Sequence, residues 1–380
     1  MKYLSFILYW SCVIIVAMFL YVYLDGNGPN FGIISRYHAS KLKSYDGVDV
    51  VYDHLNGYRI DIKMNNDTTR GFLDLDGVIS RLKNMRNVQK IAVRNVDSIT
   101  REQISDLCSI DSIGDLRIEA KSVIGESWRK LNNQKHSMIF LVLKGEGLSD
   151  DDLIEIAKIT TLYSLAISNA NVSIKGIEPL LALHNLAVVF RETTFYGDTS
   201  ISTSSDYLRV YALENCDISS SDLHFLKSLK RLGALRIFST ALSSEHLHQI
   251  TLLESVHSFR LWKNGITSID TDMFPFDKWH ELGDLMISNN KISTIPQLLH
   301  KCQMLRKIDM SGNELDDDAL ENFPFLENLE ELNLSNNPIK GTKMDAIKAL
   351  PKLKILNLND TLIDDETKEN IRLNRQNYSQ

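Results

Sequence analysis

Cysteine is scarce: the 380 residues hold four, at Cys12, Cys108, Cys216 and Cys302. Cys12 sits in an apolar leader, so three distant thiols remain for the folded part, room for one isolated bridge and for no disulfide framework. No C-x-x-C pair and no Cys/His spacing suited to a metal occurs. Excess basic charge is lacking as well. The formal net charge is −7, which argues against general binding to nucleic acid, because that favours a basic face. Catalytic signatures are missing: there is no G-x-S-x-G, H-E-x-x-H or Walker sequence. GNGPNFG, from Gly26 to Gly32, follows no strand and precedes no Lys-Ser/Thr pair, so it reads as a flexible exit from the leader rather than a phosphate loop. The acid runs Asp150–Asp152 and Asp316–Asp318, which take one place in a recurring pattern, read as helix starts and lack the glycine and closing glutamate of a calcium loop. His246 and His248 flank Leu247 in EHLHQI and read as outward, solvated side chains without further zinc ligands. The chain therefore reads as non-enzymatic, with no catalytic residue, cofactor, metal or small-molecule substrate expected.

What is present begins with the leader, YLSFILYWSCVIIVAMFLYVYL, uncharged from Tyr3 to Leu24. As a helix rising about 1.5 Å per residue it would reach about 33 Å, enough for the hydrocarbon core of a bilayer. Tyr3, Tyr21 and Tyr23 suit the two interfaces. Bulky residues at its end, Leu20 to Leu24, do not form a signal-peptidase site, so an uncleaved single-pass anchor is expected. The first ten residues after it carry no Lys or Arg, which favours the bulk of the chain on the extracytoplasmic side, against the later Arg36, Lys41 and Lys43.

The second feature is a rhythm. LENLEELNLSNNPI, from Leu326 to Ile339, spaces its apolar residues as L-x-x-L-x-L-x-x-N-x-I, neither a helical nor a strictly alternating period. The spacing recurs at Leu282-Leu285-Ile287-Asn290-Ile292, at Leu305-Ile308-Met310-Asn313-Leu315, and at Leu353-Leu356-Leu358 with Thr361 in the asparagine place. Counting back from Leu356, Leu332, Ile308 and Leu285, fainter copies are marked by Phe259, Leu235, Tyr211, Val188, Leu165, Leu141, Leu116 and Ile91, at steps of 23 to 26 residues. Their asparagine places hold Asn264, Thr240, Cys216, Thr193, Ala170, Glu146, Lys121 and Val96. An asparagine there can donate and accept between coils, whereas threonine or cysteine does so less completely.

From Val88 to Asp365 this pattern resembles the leucine-rich repeat family, nearest its ribonuclease-inhibitor-like and bacterial helical members. The resemblance implies an α/β solenoid: a curved horseshoe with a parallel β-sheet on the concave face and short helices on the convex face. Segments such as LSDDDLIEI and ISSSDLHFL fit helix starts, with Ser149 and Asp152, and Ser219 and Asp222, as caps. The expected organisation is a transmembrane anchor at 1–24, a linker and N-terminal cap at 25–87, about twelve repeats over 88–365 and a polar cap at 366–380. Within the cap, YDGVDVVYDHL and YRIDIKM read as strands and FLDLDGVISRLKNM as a helix.

Strand alternation places the residues beside the leucines on the open face. Those places hold Arg209 in one coil, Arg236 and Phe238 in the next, and His257, Arg260, Trp262 and Lys263 in the third. Arginine and aromatic residues dominate binding hot spots, so this patch is the candidate ligand surface, for a protein or peptide. The rival expectation is an envelope scaffold with little specific binding. No nucleic-acid partner is expected, and the membrane is contacted through Tyr3–Leu24.

Overall fold

The spaced apolar residues lie side by side. The computed structural model describes residues 29–43, 45, 47–53, 57–63, 74–110, 112–126, 128, 138–197, 205, 208–221, 223–267, 274–321, 323 and 325–376. The leader Tyr3–Leu24 lies outside these residues, and among them no helix is long and apolar enough to cross a membrane. Contacts divide the chain into two units, up to Val142 and from Leu143.

In the first unit, helix α1 (Pro29–Leu42) precedes β1 (Val48–Asp53), which runs antiparallel to β2 (Gly57–Lys63). The stretch expected as a loop from Gly26 to Gly32 is thus helical from Pro29 on. Proline starts a helix well, because its missing N–H is one that the first turn leaves unbonded anyway. Strand β2 then runs parallel to β3 (Val88–Thr100), and β3 to β4 (Asp115–Ile124). Ile60, Ile91 and Leu116 form one register, each fully buried. Helix α2 (Leu75–Lys83) is capped by Asp74, whose side chain accepts from the Gly77 N–H, and α3 (Arg101–Cys108) by a Thr100–Gln103 capping box.

The second unit carries a longer parallel ladder. Strands β5 (Phe140–Leu148), β6 (Ser164–Ser173), β7 (Ala187–Arg191), β9 (Leu208–Glu214), β11 (Leu232–Phe238) and β12 (Val256–Trp262) lead into four strands of three residues. These are β13 (Asp284–Met286), β14 (Lys307–Asp309), β15 (Glu331–Asn333) and β16 (Ile355–Asn357). Leu165, Val188, Tyr211, Leu235, Phe259, Leu285, Ile308, Leu332 and Leu356 pair in one unbroken row. All are buried except Leu356, which is half-buried because no strand pairs beyond β16 among the described residues.

From β6 onward, each coil turns away from its strand through a left-handed residue one place before the asparagine position. The series is Asn169, Glu192, Asn215, Ser239, Lys263, Asn289, Gly312, Asn336 and Asp360, with φ between 47° and 64°. The next side chain then points inward to the neighbouring coil. Asn290 accepts from the N–H of Asn264 and donates to the carbonyls of Leu261, Ile287 and Ser288. Asn313 and Asn337 repeat the arrangement toward Ile292 and Leu315. Thr240 accepts from Cys216 N–H and donates to Phe238 O, and the Cys216 thiol faces the carbonyls of Phe190 and Glu214. Fewer bonds are made at these places, as their side chains offer fewer donors.

The return segments are more varied than expected. Helices occupy Asp150–Ile156, Ile174–Leu181, Ser244–Ile250, Asp317–Glu321, Asp345–Lys348 and Asp365–Gln376. Ser149 and Asp152 do form a capping box. Ser219, by contrast, caps nothing: it lies in β10 (Asp217–Ser221), which pairs with β8 (Thr194–Gly197) in a second short sheet, and Asp222 falls outside the described residues. His246 also departs from expectation. It is buried, and its Nδ1 accepts from the Ser243 N–H at 3.1 Å in a capping box, while His248 alone is exposed. Where the coil between Trp262 and Asp284 has no return helix among the described residues, Phe274, Phe276 and Trp279 fill the interior against Phe259. Their ring centroids lie 4.8 to 6.2 Å apart, and Trp279 donates to Leu253 O.

Candidate functional site

Side chains on β9, β11 and β12 define the candidate surface, on the sheet face opposite the core. Pairing puts Arg236 between Ala212 and Arg260, and Phe238 between Glu214 and Trp262. The register expected for these four thus holds. Adjacent strands lie about 4.8 Å apart, so neighbouring guanidinium groups share one patch. Phe238 and Trp262 pack at a tilt of 52° with centroids 4.8 Å apart, and Trp262 stays 48% exposed. A tryptophan held rigid by a ring beneath it yet half in solvent can bury area at low entropic cost.

The charges are unevenly paired. Arg260 donates to Ser258 Oγ at 3.0 Å and reaches Asp284 at 3.4 Å. His257 stands 3.3 Å from Glu281, which also binds Arg231. Arg209 turns back across two coils, stacks over the Tyr163 ring at 3.9 Å and donates to the Tyr163 carbonyl, leaving its Nε without a partner. Arg236 faces no carboxylate within ion-pair distance among the described residues. Burial, then the charges of Arg260 and Arg209, hold its guanidinium below the ordinary arginine value. It stays protonated at any working pH, so the shift reports its partial burial first and the neighbouring arginine charges second. Gly233 lies in β11, and a side chain there would meet the Arg209 carbonyl at 2.3 Å, so the strands approach there only because that residue is glycine.

Lys263 belongs to the patch differently. Its φ of 56° makes it the left-handed turn residue of its coil, and its exposed side chain follows from that backbone.

Sequence reasoning missed the floor beside the cations. Ala187, Val210, Ala212 and Ala234, with Val189 against them, form a buried apolar cluster on this same face. Small residues at the alternate strand positions carried the signal, but alternation alone marks those places as solvent-facing. Further along the face, acids and polar groups take over: Asp284, Lys307 and Glu331 in one row, Asp309, Asn333 and Asn357 in the other. Among the described residues no group of three or more His, Cys, Asp or Glu could hold a metal ion.

Comparison with known proteins agrees with the architecture. The Leucine rich repeat family model matches residues 254–315, and that for Leucine Rich repeats (2 copies) matches 327–368. Podocan of Mus musculus is 23% identical over 201 residues, covering 52% of this chain and 32% of that protein. The chain thus spans about a third of that relative's length. The crystal structure of a TLR13–ssRNA13 complex superposes with a TM-score of 0.51 at 16% identity, over 80% of this chain and 51% of that one. That of the mouse RP105/MD-1 complex gives 0.50 at 14%, over 83% and 57%. Matched at 254–315 and 327–368 and built from in-register parallel strands, the array carries leucine-rich repeats and the solenoid-like α/β fold that goes with them.

Proposed function

We propose that this protein is a recognition module without catalytic activity, binding a protein or peptide through the face that bears Arg209, Arg236, Phe238, His257, Arg260, Trp262 and Lys263. One observation carries the reading: Arg236, with no carboxylate at ion-pair distance among the described residues, stands beside Arg260 and next to a half-exposed Trp262 braced by Phe238. A structural face would pair such charges, as the next coils do with Lys307 and Glu331, 2.5 Å apart. Of the two neighbours, one is a complex with ssRNA13 and the other a complex with MD-1. At such identity they speak for the fold, and the choice of ligand rests on this chain's own residues. In the same reading, Tyr3–Leu24 anchors the chain in a membrane as a single pass, with the repeats on the extracytoplasmic side.

Cross-linking on intact cells with the full chain, followed by comparison of wild type with the Arg260→Ala, Trp262→Ala double variant, tests the recognition reading. A stoichiometric partner held by the wild type and lost from the variant is expected. Equal capture by both, at unchanged melting temperature, overturns it and leaves an envelope scaffold as the better account. Protease added to the same cells tests the topology: digestion of the repeats is expected, and full protection overturns the extracytoplasmic placement.

A further inference from the structure

From the pairing pattern on this face we infer that the partner offers an extended acidic peptide segment. One carboxylate seats between Arg236 and Arg260, and a neighbouring large apolar side chain packs on Phe238 and Trp262. The inference rests on the recognition reading and goes beyond it by stating the ligand's chemistry.

Three observations converge. The first is charge: Arg236 has no carboxylate at ion-pair distance among the described residues, and its neighbour Arg260 is held by Ser258 and a 3.4 Å approach to Asp284. A carboxylate accepts two parallel N–H bonds from a guanidinium fork, and such charge-assisted bonds are about twice as strong as neutral ones. The partly exposed Arg260–Asp284 pair is worth little, at most about 1 kcal/mol, so Arg260 can turn toward a better acceptor. The second is relief. Ala212 and Ala234 are among the smallest side chains on the face and adjoin Arg236 in the ladder, with Val210 in the next row. At 1% and 5% exposure the two alanines are themselves covered, so they keep the surface beside Arg236 low rather than open a groove, and a peptide main chain lies across it. The third is the aromatic pair, offering an apolar platform on the row adjacent to the arginines.

The extent of the patch decides between a peptide and a nucleic acid. Arg236 and Arg260 stand on two adjacent strands, about 5 Å apart at the usual strand spacing. That matches a single carboxylate and its flanking residues. A single strand of nucleic acid carries a charge about every 3.4 Å. Beyond Arg260 it would run over Asp284 and Asp309, and beyond Arg236, on the preceding strands, toward Glu214 and Glu192. Those acids bound the positive surface on both sides and disfavour a long polyanion.

The test uses the full chain in mild detergent and a linear peptide library displayed on phage. Enriched peptides should place Asp or Glu next to a large apolar residue. A synthetic copy, titrated by fluorescence anisotropy, should bind about tenfold to hundredfold more weakly when its acid is changed to the amide, or when the protein carries Arg236→Gln. Arg236→Lys should keep part of the affinity, and Trp262→Ala should weaken the acidic and amide peptides alike. Enriched peptides that lack an acid but lose binding with Trp262→Ala would overturn the acidic segment while leaving the recognition reading standing. No enrichment, or equal binding by every variant, overturns the acidic segment, whereas the recognition reading falls on equal cross-linked capture by wild type and the double variant. A thymidine oligonucleotide that binds more tightly than the peptides and loses affinity with Arg236→Gln would overturn the peptide in favour of nucleic acid. Circular dichroism of the variants, all changed at surface side chains, checks that each is folded.

Discussion

A single side chain per coil sets the spacing of this molecule. Asn290, Asn313 and Asn337 each accept from one coil and donate to carbonyls of two, which only a carboxamide can do in so small a volume. The residue just before is under a different constraint, because its backbone is left-handed. Asparagine and glycine tolerate that region; lysine pays a steric penalty there. Lys263→Asn should therefore raise stability by about 0.5–1 kcal/mol, read as a higher urea midpoint at unchanged slope. No change, or a fall, would mean that Lys263 is not strained at its φ of 56°.

Between elements, the coils are tied by carboxylates as well as amides. Asp317, at the start of the Asp317–Glu321 helix, is buried and accepts from the N–H groups of Lys340, Thr342 and Lys343 in the next coil at 2.7 to 3.3 Å. Burial pushes its carboxyl up, but those N–H groups outweigh it and hold the group below the ordinary aspartate value. The sign follows: the folded state binds this proton less readily than the unfolded chain. The stabilisation is complete above about pH 4, the unfolded value, and is lost as pH falls through the lower folded one. Asp317→Asn should cost about 1–3 kcal/mol at neutral pH, and the gap to wild type should close on acidification below about pH 4. A gap that is constant with pH would show that the charge is not what binds the two coils. Reading the sequence located Asp316–Asp318 as a helix start, because the acids recur at one repeat position. That one of them reaches into the following coil could not be read, since that depends on how far the next turn is displaced.

For the molecule as a whole, three thiols from three distant coils report on the core together. Burial pushes Cys108 and Cys302 up to about 12 and Cys216 up to about 11. At pH 8 almost none is thiolate, and the thiolate is the reactive form. With Cys12 replaced by serine, an aromatic disulfide reagent at pH 8 should count no thiol in the native protein and three after unfolding. Partial reaction of one thiol in the native state would reveal a coil that opens on its own, as stacked repeats with nearest-neighbour interfaces permit.

Leucine spacing alone determined the strand register from Leu165 to Leu356 and the row shared by Arg236 and Arg260, because a coil can bury its apolar side only against a neighbour in step with it. Even Val188, whose copy is faint, falls into line with Leu165 and Tyr211. What only the tertiary structure decided is which of the outward side chains are free to bind. Whether an arginine is neutralised depends on acids one or more coils away, as Asp284 is for Arg260 and Tyr163 is the resting place of Arg209. Small residues such as Ala212 become a floor only once the side chains of adjoining coils close around them. Both outcomes are set by contacts some 20 to 50 residues apart in the chain, and no local pattern records them.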